Sequence, residues 1–128
     1  MPISRFHHVA IICADYERSK RFYTEILGFA IIQETYRSER CSYKLDLRVG
    51  DRDQIELFSF PDPPERPGYP EACGLRHLAF AVDDIEQMAT YLQSQGVATE
   101  PIRWDELTER RFMFFQDPDG LPLEVYEV

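Results

Sequence analysis

Hydrophobic positions along this 128-residue chain change period twice, in the same order each time. Across residues 5–14 alternation puts Phe6, His8, Ala10 and Ile12 on one face and His7, Val9, Ile11 and Cys13 on the other, which predicts a strand. Asp15 then suits a helix N-cap, Phe22, Tyr23, Ile26 and Leu27 form an apolar stripe at helical spacing, and Gly28 can end the helix. Period-two patterning returns at 29–37, 41–49 and 53–60, so three more strands are expected, the last two joined through Gly50-Asp51. Pro61 to Pro70 holds five prolines, which forbid a helix and favour stiff, extended backbone. The order then starts again. A strand from Leu75 to Val82 has Leu75, His77, Ala79 and Ala81 on one face, and Asp84 or Asp83 caps a helix. Gln87 is placed to return the capping bond if Asp84 is the cap, and Ile85, Met88, Ala89 and Leu92 form the buried stripe before Gly96. A strand near Val97, a charged segment at 103–111, a strand at 112–116, the turn Asp117-Pro-Asp-Gly and a terminal strand complete the chain.

The two halves superimpose in sequence. His8 to Asp15 lies over His77 to Asp84 at an offset of 69, while Gly28 over Gly96 and Glu56 over Glu124 both give 68. We therefore expect one domain over residues 1–128, made of module one (1–60), a proline-rich linker (61–73) and module two (74–128). Each module reads as strand, helix, three strands.

Charge narrows the partners. The formal net charge of -9 and the lack of a basic stripe argue against nucleic acid and against anionic membrane surfaces. No run of about 18 apolar residues and no signal-like N-terminus is present, so a cytoplasmic location is expected. Three cysteines without a Cys-x-x-Cys spacing imply neither a disulfide framework nor a zinc knuckle.

Chemistry concentrates at four positions. In the last strand Leu121, Leu123 and Val125 share one side and Pro122, Glu124, Tyr126 and Val128 the other, so both sides are apolar and Glu124 should point into protein. A carboxylate there needs a cation, hydrogen bonds or a raised pKa. Glu56 is its equivalent in module one, and each first strand carries a histidine on an otherwise apolar face. Taken singly, such residues are accounted for by hydrogen bonding in a core or at a rim. Taken together, two imidazoles and two carboxylates suit one divalent ion, Ni, Co, Zn, Fe or Mn, with open positions for water or substrate.

The run Phe6-His-His-Val-Ala-Ile, Asp15, Ser19-Lys-Arg-Phe-Tyr and Leu27-Gly-Phe, with Ile55-Glu-Leu, Arg76-His-Leu-Ala-Phe, Asp117-Pro-Asp-Gly and Leu123-Glu, resembles the vicinal-oxygen-chelate superfamily. Within it the similarity is to short bacterial glyoxalase I-like (lactoylglutathione lyase-like) proteins. The resemblance covers nearly the whole chain. It implies an α+β fold of two tandem βαβββ modules whose curved sheets enclose a metal, the glyoxalase/bleomycin resistance/dioxygenase fold. It further implies that His8, Glu56, His77 and Glu124 are the ligands, with His8 chosen by its spacing to Asp15 and His7 the adjacent alternative. Glutamate at position 56 matches the glyoxalase type, since related epimerases commonly have glutamine there and related dioxygenases and thiol transferases use two histidines and one glutamate. An epimerase, thiol transferase or dioxygenase, or a non-catalytic binding protein lacking such a ligand set, is the alternative class.

By the same resemblance the reaction is isomerisation through an enediolate, on a small chelating hydroxycarbonyl or a thiol hemithioacetal. Glu124 would be the base, with Glu56 its counterpart for the opposite stereochemistry. Glutathione-using relatives often carry an arginine and an asparagine where this chain has Ile12 and Phe60, which puts glutathione as the thiol in doubt; the plain alternative for both side chains is core filling. Arg66, Arg76, Arg110 and Arg111 are candidates for anion contacts in their place, or ordinary surface charges. A homodimer is expected, and by the same resemblance each site could take His8 and Glu56 from one chain and His77 and Glu124 from the other, or lie within one chain.

Overall fold

The computed structural model describes residues 1–128. The chain divides into two compact units, Met1–Glu65 and Arg66–Val128, and the division falls inside the proline-rich segment.

In unit one, strand β1 (Val9–Cys13) leads into helix α1 (Tyr16–Arg21), which widens into a π-helical turn over Phe22–Ile26. Strands β2 (Ala30–Arg37), β3 (Ser42–Val49) and β4 (Asp53–Ser59) follow, and the sheet order is β1-β4-β3-β2. β1 runs parallel to β4, so the first strand of the unit is closed by its last, while β4, β3 and β2 form the expected antiparallel meander. Asp15 accepts the Arg18 N–H at 3.1 Å, which satisfies one of the free donors of the first turn. At the other end Gly28 takes φ +76, a left-handed value that a side-chain-bearing residue would hold at a cost.

Helix α1 and the turn after it bury Tyr16, Ser19, Phe22 and Tyr23, and the matching sheet face buries Ile11, Cys13, Leu45, Leu47, Ile55 and Leu57. Leu45, Leu47 and Leu57 are each 0% exposed, which at about 1.5–3 kcal/mol per buried side chain makes them major contributors to this half.

Unit two repeats the plan with β5 (Leu78–Val82), α2 (Ile85–Ser94), β6 (Arg103–Asp105), β7 (Arg110–Gln116) and β8 (Pro122–Glu127), in the sheet order β5-β8-β7-β6. Asp84, not Asp83, is the cap, accepting the Gln87 N–H at 3.0 Å. Ile85, Ala89 and Leu92 are buried, as are Met113, Phe115, Leu123 and Val125 on the helix side of the sheet.

Two expectations need correction. No strand forms near Val97: Thr99 makes a single bridge to Phe115, and Pro101, which has no N–H to donate, interrupts the ladder. The second strand of the unit lies instead at Arg103–Asp105, inside the charged segment, because the Arg103 side chain lies over Phe112 and Phe114 and its charge does not exclude a strand. Both leading strands are also shorter than their patterns. β1 begins at Val9 and β5 at Leu78, so His8 and His77 stand at equivalent positions immediately before a strand. No helix is long and apolar enough to cross a membrane.

Candidate metal centre

In each unit the helix covers one face of the sheet, and the opposite face carries the predicted site residues. On the uncovered face of unit one, Ala10, Glu56, Asp46 and Gln33 form one row across the strands. His8 Nε2 lies 3.4 Å from Glu56 Oε2, and Glu56 is only 8% exposed. Gln54 donates to the same oxygen at 3.4 Å, and the Lys44 ammonium stands 3.9 Å from Glu56 Oε1 and 3.4 Å from Asp46. His7 is paired with His8 and not with the carboxylate; its Nδ1 shares a 2.9 Å hydrogen bond with His8 Nδ1. The pair therefore uses His8, and His7 stands behind it, where it can fix the orientation of the His8 ring.

On the uncovered face of unit two the corresponding row is Ala79, Glu124 and Phe114. His77 Nε2 lies 3.1 Å from Glu124 Oε2, and the His77 ring meets Phe114 edge-on at 5.1 Å. Register equates Phe114 with Asp46, so the two glutamates differ in setting: Glu56 has an amide and an ammonium beside it, whereas Glu124 has an aromatic neighbour. Burial pushes the Glu124 carboxyl above the usual carboxylate range, with Asp105 adding to the rise and His77 and Arg103 opposing it. The Asp117 turn places this residue. Asp117 Oδ1 accepts the N–H groups of Asp119 and Leu121, each at 2.9 Å, which fixes the entry into β8 three residues before Glu124.

The residues fit a divalent ion as two half-sets. Two donors bound to one ion at about 2.1 Å and separated by 90–110° lie about 3.0–3.4 Å apart, and the observed N–O separations of 3.4 and 3.1 Å fall in that span. His77 Nδ1 is buried without a hydrogen-bond partner, so nothing in the chain competes to turn its ring away from Glu124. No group of three or more potential ligating side chains gathers in the single chain, so each unit stands at two donors.

Ile12 and Phe60 are not core residues. Ile12 is 56% exposed and pairs in register with Phe58 on the Glu56 face, and Phe60 stacks on Phe58 at 6.1 Å. Three of the four candidate arginines are committed elsewhere: Arg66 to the Leu75 and Arg76 carbonyls, Arg76 to Glu71, and Arg111 to Glu127 and Glu86. Sequence patterning does not reveal Lys44 and Asp46 beside Glu56, or Arg37 over Phe58 and Phe60, because these contacts come from cross-strand register. A count of alternating positions back from Glu56 across Gly50-Asp51 is the one signal that would have found Asp46.

Comparison with known proteins agrees with this architecture. A family model described as Glyoxalase/Bleomycin resistance protein/Dioxygenase superfamily matches residues 5–125. The Bacillus subtilis protein named as uncharacterized protein YwkD is 61% identical over 127 residues, 99% of each chain. A 2-epi-5-epi-valiolone epimerase of Actinomyces sp is 30% identical over 93% of this chain and 76% of its own. The crystal structure of a glyoxalase family protein from Enterococcus faecalis superimposes with a TM-score of 0.90 at 49% identity, over 96% of this chain and 97% of the other. Two strand-helix-three-strand units, each with a histidine–glutamate pair on its uncovered face, and a family match spanning almost every residue lead to one conclusion: the chain belongs to the glyoxalase/bleomycin resistance protein/dioxygenase superfamily.

Proposed function

We propose that this chain is a divalent-metal-dependent enzyme of the glyoxalase I type, an isomerase or lyase acting on a small chelating hydroxycarbonyl or thiol hemithioacetal. The observation that carries this reading is the pair of equivalent His–Glu contacts, 3.4 and 3.1 Å, one on the uncovered face of each unit. His8, Glu56, His77 and Glu124 would hold the ion, Ni, Co or Zn by donor type, with Fe or Mn also compatible. When bound, the ion supplies Lewis-acid polarisation of two adjacent substrate oxygens.

The chain's own groups divide the remaining work. Glu124 takes the proton from the carbon beside the substrate carbonyl and returns it to the neighbouring carbon. Its setting supports this, since it lies between the His77 imidazole and the Phe114 ring and burial raises its affinity for a proton. Glu56, with the Gln54 amide and the Lys44 ammonium beside it, is the counterpart for the opposite stereochemistry. His7 steadies His8 through the Nδ1–Nδ1 bond. Since each unit offers two donors, the complete set would come from a homodimer in which His8 and Glu56 of one chain join His77 and Glu124 of another.

The test is metal content followed by proton exchange. Stripped and reconstituted protein should hold about one ion per chain, and His77→Ala or Glu124→Ala should lower that content sharply. Glu124→Gln should retain most of the ion while abolishing deuterium exchange of the proton beside the carbonyl in hydroxyketones and hemithioacetals. Full metal content in a His8→Ala, His77→Ala double variant would overturn the reading.

A further inference from the structure

We infer that the uncovered face of unit one carries a carboxylate-binding subsite at Arg37, and that the substrate of the proposed centre bears a carboxylate about 7–10 Å from its chelating oxygens. This rests on the metal-centre reading above and adds the substrate class to it.

The Arg37 guanidinium lies over two aromatic rings, 4.9 Å from the Phe58 centroid and 5.7 Å from that of Phe60. One of its Nη groups donates to Ser42 Oγ at 2.8 Å, and Ser42 is 0% exposed, so the plane of the fork is fixed from below and from the side. A guanidinium carries five N–H donors, and stacking satisfies none of them. Arg37 spends one on Ser42, leaves Nε buried without an acceptor, and has no carboxylate partner.

Other cations on these faces are engaged, Arg48 by the Arg52 and Asp53 carbonyls and two more by carboxylates. Arg103, over Phe112 and Phe114, has Glu100 at 3.0 Å, and Lys44 has Asp46 at 3.4 Å. In a chain of net charge -9 Arg37 is stacked on two rings, half-buried and without a counter-charge, and its Nε lacks an acceptor. An anion brought from outside would supply it.

Position decides the substrate class. Phe58 is two residues from Glu56 on β4 and on the same face, a step of about 6.6 Å along a strand. A ligand chelating at Glu56 thus passes over Ile12 and Phe58 before it reaches Arg37, which suits an apolar spacer ending in an oxyanion. A single planar fork matches a carboxylate. A phosphate dianion would call for a second free cation, and Lys44 is already engaged by Asp46 and Glu56.

The experiment compares 2-hydroxyadipate, 2-hydroxyhexanoate and glycolate on metal-reconstituted protein by titration calorimetry. Wild type should bind 2-hydroxyadipate roughly tenfold or more tighter than 2-hydroxyhexanoate, as expected for one charge-assisted contact. Arg37→Met, which keeps the stem over Phe58, should bring that ratio close to one and leave glycolate affinity unchanged. No preference in wild type, or a preference that survives Arg37→Met, overturns the subsite. Absence of glycolate binding would count against the metal centre instead. A second arm therefore uses metal-free protein: adipate should shift the backbone amide resonances of Arg37, Ser42 and Phe58 in wild type and not in Arg37→Met, and unmoved resonances in wild type overturn the proposal.

Discussion

Asp117 offers the sharpest link between local structure and the site. The residue is 5% exposed, and its Oδ1 accepts two backbone N–H groups, one from Asp119 and one from Leu121, which is 7% exposed. Asp117→Ala leaves both donors without an acceptor. The Leu121 donor is too buried for water to replace the bond fully, and the Asp119 donor can be partly hydrated, so the loss should be about 2–3 kcal/mol. For a chain of this length that corresponds to a fall in Tm of about 6–15 °C. Asp117→Asn keeps an acceptor oxygen and should lose about half as much. Because the turn sets where β8 begins, Asp117→Ala should also weaken metal retention more than Leu92→Ala, a core truncation on the helix side that costs about 2–5 kcal/mol. Urea and thermal unfolding give the stabilities, and elemental analysis gives the metal. An Asp117→Ala protein within about 0.5 kcal/mol of wild type would refute the account, as would metal retention that simply follows stability across the three variants.

Acid should weaken unit one through Glu34, whose carboxyl is held below its ordinary value of 4.5 by the Lys20 ammonium and the Tyr16 hydroxyl. A lowered folded pKa means that this contribution is present above the ordinary value and is lost as pH falls through the folded one. Glu34→Gln should therefore flatten the acid limb of urea-midpoint against pH, and an unchanged limb would remove Glu34 from the account. Light scattering at micromolar concentration should give twice the chain mass, and mixing inactive His8→Ala and Glu124→Ala proteins should restore activity; a monomer, or no rescue, would sink the shared site. The glutathione hemithioacetal of methylglyoxal should be a poor substrate, since Ile12 and Phe60 present apolar surface where a tripeptide needs donors, and kcat/KM above about 10⁶ M⁻¹s⁻¹ would contradict that.

The fold was largely legible because its signals are local. Asp15 and Asp84 sit where caps must, Gly28 and Gly96 where helices must stop, and the repeat offset paired His8 with His77 and Glu56 with Glu124 before any geometry was known. Register across strands was less accessible. β2 shifts by a residue between Ile31 and Gln33, so no count along the sequence carries Arg37 to the rings of Phe58 and Phe60. The second strand of unit two is hidden for a related reason: Arg103 and Asp105 look like solvated charges, yet Arg103 lies over Phe112 and Phe114 and Asp105 accepts the Tyr126 hydroxyl. Ile12 fits a core reading by its chemistry, and only the topology leaves it exposed.

Closing each sheet first strand against last also constrains the order of events during folding. Val9 meets Ile55, and Leu78 meets Leu123, only after the intervening hairpins and helix have been made, and such distant parallel pairings form slowly because they carry the largest loop-closure entropy. His8 and Glu56, like His77 and Glu124, are brought side by side by that same late pairing. A nascent or half-folded unit therefore displays its histidine and its glutamate apart, where neither would hold an ion firmly, and a divalent cation would not trap an incomplete intermediate. Under the proposed metal centre, capture of an ion would report that a sheet has closed, and metal uptake would serve as a kinetic marker of finished folding.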